Sequence, residues 1–144
     1  MAVGPGKAST IHTAEAALPE AGVRPEDLGI GVLFSAMRDA VVVGDAVSGR
    51  IVLWNPAAQR LFGYTAEQAV GQLLEILVPE ALKPRHRAGL VRYAESGHGR
   101  LIDRDASVEL PALGKGGAEL TVELSLAPVT RPGQDPASTP QYVL

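Results

Sequence analysis

The strictest pattern in this chain is the alternation of apolar and polar residues from position 120 to position 127. A period of two predicts a β-strand with one buried face, because only an extended chain turns alternate side chains to opposite sides. Residues 107–112 alternate in the same way, and the glycine-rich segment 114–117 supplies a turn between the two. Together these segments predict a β-hairpin that belongs to an antiparallel sheet.

A second hairpin is predicted earlier in the chain, where the apolar segments 41–43 and 51–54 flank turn-like residues. Asn55 and Pro56 follow at once. Asparagine caps the free amides of a first helical turn, and proline fits that turn because an N–H there has no partner to lose. A helix is therefore predicted from Pro56 to Gly63, since glycine suits the left-handed conformation that closes a helix.

Two further helices are predicted between the hairpins. Thr65 opens a capping box for a short helix. Residues 84–96 predict a longer one, in which His86, Leu90 and Tyr93 recur at helical spacing and share one stripe. The last residues of the chain open a further strand. Strands and helices grouped in this way indicate an α+β fold, with helices covering one face of an antiparallel sheet.

Composition excludes several classes of function. The formal net charge is −3, and the chain has one Trp, three Tyr and two Phe, so neither a basic nor an aromatic surface for nucleic acid is expected. The absence of cysteine excludes disulfides, cysteine-ligated zinc, iron–sulfur clusters and a cysteine nucleophile. The three histidines are scattered, and no hydrolase triad, zinc-protease motif or phosphate loop accompanies them. We therefore expect no catalysis by this chain.

The chain divides into three parts. Residues 1–24 are rich in Ala, Gly and Pro and predict a flexible leader without the apolar core of a secretory signal. Residues 25–39 predict an N-terminal flanking helix, and residues 40–144 the folded domain. Because the longest apolar runs are too short to cross a bilayer, we expect a cytoplasmic protein without a membrane span.

Two blocks of the sequence resemble the PAS family of sensory domains. The first carries Asn-Pro-Ala-Ala at 55–58 and Leu-Phe-Gly-Tyr at 61–64, and the second is the late hairpin, 114–126. The resemblance covers roughly residues 30–144 and implies a five-stranded antiparallel sheet in the order 2-1-5-4-3, with helices on one face enclosing a ligand or a packed core. It also implies a sensor that acts on a histidine kinase, nucleotide cyclase, phosphatase or transcription regulator.

The last strand of that sheet, residues 141–144, is cut off at the end of the chain. We therefore expect the natural polypeptide to continue into an effector domain, which would carry any catalytic activity. The resemblance also implies a homodimer, because the flanking helices of this family often pack against a second copy. The residues predicted at the dimer interface are Leu28, Val32, Leu33, Ala36 and Met37.

A ligand pocket is predicted between the longer helix and the late strands. The alternative is structural: Trp54 packs in the core, Asn55 caps its helix, and the alternating strand buries ordinary core residues. An apolar ligand such as a fatty acid would suit the aliphatic positions, whereas a flavin photoadduct is excluded because the chain has no cysteine. The candidate pocket residues are Trp54, Asn55, Leu90, Tyr93, Val122, Leu124 and Leu126.

His86 supports a more specific alternative. Residues 84–93 resemble the helix that carries the proximal haem ligand in oxygen-sensing PAS domains of bacterial kinases. The resemblance implies an iron ligand at His86, a propionate contact at Arg92 and a distal wall at Leu124 and Leu126. The other interpretation is a structural or solvent-facing His86, because a His-Arg pair here is common in PAS domains without haem. The counterpart of the distal arginine of the haem domains is ambiguous between Arg104, Ala106 and Val108.

We therefore expect a sensory or regulatory PAS module of a bacterial-type signalling protein. It would bind a small ligand, mediate dimerisation or do both, and so regulate transcription or another effector. Two alternatives stay open: a haem-based gas sensor that uses His86, and a ligand-free dimerisation module.

Overall fold

The computed structural model describes residues 22–130, 132–133, 135 and 141–143. The predicted leader, 1–24, thus lies outside the described residues except for positions 22–24. The helices are α1 (Gly31–Ala36), α2 (Pro56–Phe62), α3 (Ala66–Ala69) and α4 (Lys83–Ser96). The strands are β1 (Val42–Asp45), β2 (Ile51–Trp54), β3 (Val108–Leu113), β4 (Glu119–Leu124), β5 (Pro128–Val129) and β6 (Tyr142–Val143). Short 3-10 turns lie at Pro25–Leu28, Leu74–Leu77, Glu80–Leu82 and Lys115–Gly117.

The predicted helix boundaries are confirmed where a local signal marks them. α2 ends at Gly63, which has a φ of 85°, and α4 ends at Gly97, which has a φ of 74°. Both values lie in the left-handed region, which glycine enters without steric cost. The capping box that opens α3 is formed by Thr65 and Gln68. Among the described residues, no helix combines the length and the apolar character that crossing a membrane requires.

All the strand pairs are antiparallel, which confirms the predicted α+β class, but the predicted order 2-1-5-4-3 in one sheet is not confirmed. One sheet has the order β2-β1-β6-β5, and β3 pairs only with β4 in a separate hairpin. The predicted strand 120–127 is divided, because β4 ends at Leu124 and the chain resumes pairing only at Pro128. Pro128, the first residue of β5, has no N–H to donate to a ladder.

The N-terminal flanking segment is two short elements rather than one helix over 25–39. The 3-10 turn Pro25–Leu28 ends at Gly29, which has a φ of 72°, and α1 begins at Gly31. The left-handed glycine interrupts the helical path, since its backbone turns away from the axis. The chain therefore folds back so that Leu28 and Phe34 are both buried.

Two apolar clusters pack on opposite faces of the β1–β2 pair. Successive residues of a strand point to opposite faces, so Val42 joins the cluster with α2 and α3, and Val43 joins the other one. The second cluster contains Leu28 and Phe34 from the N-terminal segment. The sequence predicts helices on one face only. The structure differs because Val41, Val43 and Leu53 form a second apolar face, which the N-terminal segment and Tyr142 cover.

The side chain of Asn55 ties these layers together. Asn55 is fully buried, and its Oδ1 accepts hydrogen bonds from the amides of Val41 at 2.9 Å and Ala58 at 3.0 Å. Its Nδ2 donates to the carbonyl oxygens of Phe34 at 3.1 Å and Asp39 at 3.0 Å. The predicted cap of α2 is confirmed. The same amide also fixes the end of α1 and the entry into β1.

We expect Asn55→Ala to lower the free energy of unfolding by at least about 3 kcal/mol, because it removes the side-chain partner of the Val41 amide and of the Phe34 and Asp39 carbonyls, at about 1–3 kcal/mol for each buried group. Urea denaturation followed by the fluorescence of the buried Trp54 measures this loss. Arg60→Ala, on the exposed side of α2, is the matched control and should change stability little. Equal unfolding midpoints for Asn55→Ala and the unchanged protein would contradict this role.

Candidate functional site

The buried side of α4 agrees with the stripe predicted from the sequence. Tyr93 is buried, and His86 and Leu90 are half-buried. Arg92, predicted to meet a haem propionate, is exposed. α4 therefore turns an imidazole, a leucine and a phenol ring toward the rest of the molecule and leaves its guanidinium groups toward solvent.

An open groove with a volume of about 420 Å³ runs between α4 and the turn that joins β1 to β2. We call it the α4 groove. It contains His86 at one end, near the start of the helix. Its lining is largely aliphatic, with the few polar groups coming from α4, Glu75 and Ser48. The lining residues are Ala46, Val47, Ser48, Gly49, Leu73, Glu75, His86, Arg87, Leu90, Val91, Ala94 and Glu95.

A two-bonded ion pair holds α4 against the 3-10 turn Leu74–Leu77. Arg87 Nε donates to Glu75 Oε2 at 2.7 Å, and the second guanidinium nitrogen donates to Oε1 at 3.0 Å. The hydrogen bonds from Arg87 lower the pKa of the Glu75 carboxyl below its usual range. This two-point geometry fixes the orientation of the helix more firmly than a single charge contact would.

His86 has an unusual environment for a titratable group. Its Nδ1 is buried and has no hydrogen-bond partner among the described residues. Burial lowers the pKa of His86 below its ordinary value, Glu75 partly opposes this shift, and Arg87 adds to it. The imidazole is therefore neutral at pH 7. A neutral imidazole is the form that ligates metals, and it carries no charge into the groove.

Trp54 and Asn55, two of the predicted pocket residues, are enclosed by the protein. Trp54 Nε1 donates to the carbonyl oxygen of Tyr64 at 2.9 Å, and its ring packs against Phe62 with centroids 5.5 Å apart. The amide of Asn55 already makes two donor and two acceptor contacts, which is its full capacity. Ligand contact by Trp54 and Asn55 stays a prediction. The structure contains the roles of the structural alternative, in which Trp54 packs in the core and Asn55 caps α2.

The β4 side of the predicted pocket is less filled. Val122 packs against the cluster formed with α2 and α3. Leu124 and Leu126 are half-buried and belong to neither apolar cluster. Leu90 of α4 is likewise half-buried and outside both clusters. Leu90, Leu124 and Leu126 thus keep part of their apolar surface exposed in the part of the chain that the structure describes.

The residues predicted at a dimer interface separate into two groups. Leu28 is buried inside its own chain, because the N-terminal segment folds onto the outer face of the β1–β2 pair. Val32 is 86% exposed and Leu33 is 68% exposed. Ala36 and Met37 are exposed as well. Leu28 is thus unavailable to a second copy, whereas the other four are exposed among the residues that the structure describes.

The sequence prediction missed Glu75 and the turn residues Val47 and Gly49 as parts of a site. They meet α4 only through the tertiary fold, so no local period or spacing joins them to it. The only signal in the sequence was Val47 itself, an apolar residue within an otherwise turn-like segment.

Comparison with known proteins identifies relatives of this fold. The family model described as PAS fold matches residues 32–137. The chain is 29% identical over 108 residues to the oxygen sensor protein DosP of Escherichia coli, covering 72% of this chain and 13% of that protein. It is 32% identical over 83 residues to the sensor protein FixL of Bradyrhizobium diazoefficiens, covering 58% of this chain and 16% of that protein.

A solved structure agrees with the fold. The PAS domain of a protein from Colwellia psychrerythraea superposes with a TM-score of 0.60 at 24% identity, covering 76% of this chain and 85% of that one. By contrast, the curated relatives are far longer than the aligned region, since this chain spans 13% of DosP and 16% of FixL.

The environment of His86 predicts that stability falls as the pH is lowered through about 6.5, the ordinary pKa of the side chain. The folded-state pKa is lowered, so the unfolded chain takes up the proton first, and acid favours unfolding. In urea titrations between pH 7.5 and pH 5.5, His86→Gln should lose less stability than the unchanged protein. The charge of Glu75 survives this range because its pKa is lowered from 4.5.

His98→Gln is the matched control for this experiment. His98 is exposed, so its replacement removes an imidazole of the chain without disturbing the buried environment of His86. A pH profile that is identical in His86→Gln and in the unchanged protein would show that the buried imidazole does not drive the effect.

Proposed function

The chain belongs to the PAS fold family, and on that premise we propose that it is a sensory module that binds a small ligand between α4 and the β3–β4 hairpin. One observation carries the proposal. Leu124 ends β4 and Leu126 lies two residues beyond it, and both are half-buried and outside the two apolar clusters of the described residues. A ligand that covered this row would remove the remaining apolar surface from water, at about 25 cal/mol per Å².

The walls of this space define the kind of ligand. We propose aliphatic contacts with the ligand from Val122, Leu124 and Leu126 on one side and from Leu90 and Tyr93 of α4 on the other. Burial raises the pKa of the Tyr93 phenol, which stays neutral at pH 7. The ligand is therefore largely apolar. Trp54 and Asn55 would act at the edge of this space by holding α2 and the sheet in place.

The sensor would act through a partner or a further domain. The chain spans less than a fifth of DosP and FixL. We therefore propose that a kinase, cyclase, phosphatase or transcription regulator in the cytoplasm receives the signal, and that any catalytic activity belongs to that effector. Homodimerisation is proposed through the exposed surface of α1. Its residues are Val32, Leu33, Ala36 and Met37.

Native mass spectrometry of the gently purified protein should show a co-purifying small molecule. Leu124→Trp should remove that mass, because the indole fills the space left beside the half-buried leucine. Thr121→Trp places the same side chain on the exposed face of β4 and should keep the ligand. An empty dimer with unchanged stability would instead support a ligand-free dimerisation module.

A haem-based gas sensor is the second candidate, favoured by the partnerless Nδ1 and the neutral imidazole of His86. Haem iron accepts such an imidazole, and bound haem would supply a site for a diatomic gas. His86 would hold the iron, exposed Arg92 would reach a propionate, and Leu124 and Leu126 would form the opposite wall. Similarity to DosP, described as an oxygen sensor, supports this candidate.

Absorption spectroscopy tests the second candidate directly. Protein mixed with haemin should develop a sharp Soret band, and His86→Ala should broaden and shift that band or lose it. His98→Ala removes an exposed imidazole and should leave the band unchanged. A protein that develops no Soret band with added haemin would overturn the haem candidate and leave the apolar ligand as the main proposal.

A further inference from the structure

The α4 groove is a second concave site, which shares Leu90 of α4 with the proposed sensing space. None of its described lining residues belongs to β3 or β4. It is formed instead by the β1–β2 turn, by residues near the 3-10 turn Leu74–Leu77 and by α4. Its volume of about 420 Å³ lies within the range of roughly 300–1,000 Å³ typical of small-molecule sites.

Large apolar side chains line this groove and remain open to solvent. Val47 is 76% exposed, Val91 is 57% exposed and Leu73 is 38% exposed. All three lie in the groove lining. Scattered apolar residues are common on protein surfaces, but apolar residues gathered around one concavity indicate a binding site. The groove therefore has an apolar wall that is not used by the protein itself.

The charges around the groove select the ligand. Glu75 and Glu95 both line it, and Arg87 is its only cation in the described lining. Arg87 is engaged by both oxygens of Glu75, while Glu95 has no ion-pair partner in the part of the chain that the structure describes. Within the described lining, two carboxylates and one guanidinium leave a formal excess of one negative charge, which lies at Glu95. A cation is attracted to such a site and an anion is repelled.

We propose that the α4 groove binds a small apolar molecule that carries an ammonium group. The alkyl or aryl part lies against Leu73, Val47 and Val91, and the ammonium group lies beside the carboxylate of Glu95. The imidazole of His86, at the other end of the groove, carries no positive charge, so it does not repel the ammonium group.

Three probes of equal chain length test the proposal: n-hexylamine, n-hexanol and n-hexanoate. In amide NMR spectra of the full chain, hexylamine should shift the signals of residues 46–49 and 90–95, hexanol should shift them less, and hexanoate should leave them unchanged. Added salt should weaken the hexylamine titration, because the selective contact is electrostatic.

Variants locate the binding site. Glu95→Gln should weaken hexylamine binding about fivefold, as expected for one partly exposed charge contact. Ala94→Trp replaces an exposed residue, so the fold should remain intact while the indole blocks the groove and abolishes the shifts. Glu67→Gln removes an exposed carboxylate on α3, outside the groove lining, and should bind like the unchanged protein.

Equal binding of hexylamine and hexanoate, or an unchanged affinity in Glu95→Gln, would overturn the proposal. Shifts confined to β3 and β4 would also overturn it, since the amine would then occupy the proposed sensing space, and the proposed function would stand. Conversely, loss of the co-purifying ligand in Leu124→Trp with hexylamine binding intact would show that the two sites are independent.

Discussion

The buried amide of Asn55 is the constraint on which the rest of the structure depends. One side chain accepts from the amides of Val41 and Ala58 and donates to the carbonyl oxygens of Phe34 and Asp39. These partners belong to the entry into β1, to α2 and to the end of α1. The amide therefore joins the two layers on opposite faces of the β1–β2 pair. Removing it uncouples both layers from the strands, because water cannot replace these contacts in the core.

The two halves of the domain are packed differently, and this difference bears on function. The N-terminal half is closed around Trp54, whose ring contacts Phe62 and Tyr64 and whose indole N–H has a partner. The C-terminal half joins α4 to a hairpin that pairs only with itself, and Leu124 and Leu126 remain half-buried there. A ligand can add packing only where packing is incomplete. Under the proposed function, the closed half would serve as the frame, and the half with the half-buried leucines would receive the ligand.

The sequence predicts the parts of this fold that carry local signals. Asn55 and Pro56 mark the start of α2, Gly63 and Gly97 mark helix ends, and alternation marks the late hairpin; each is confirmed. The features it does not predict depend on distant partners. The break between β4 and β5, the burial of Leu28, the pair formed by Arg87 with Glu75 and the α4 groove all require knowledge of which elements meet. Neither a period nor a cap contains that information.

α4 contributes residues to each of the candidate binding sites. His86 near its start and Leu90 in its middle line the groove, and we propose that Leu90 also borders the sensing space. Iron ligation needs the free electron pair of a neutral His86, and an ammonium ligand needs the same ring without its positive charge. Mild acid should therefore weaken both of these ligands. An apolar molecule held by Leu124 and Leu126 makes no use of that charge, so its binding should persist while the fold does. The pH dependence of occupancy thus distinguishes an apolar sensor from either alternative before any ligand has been identified.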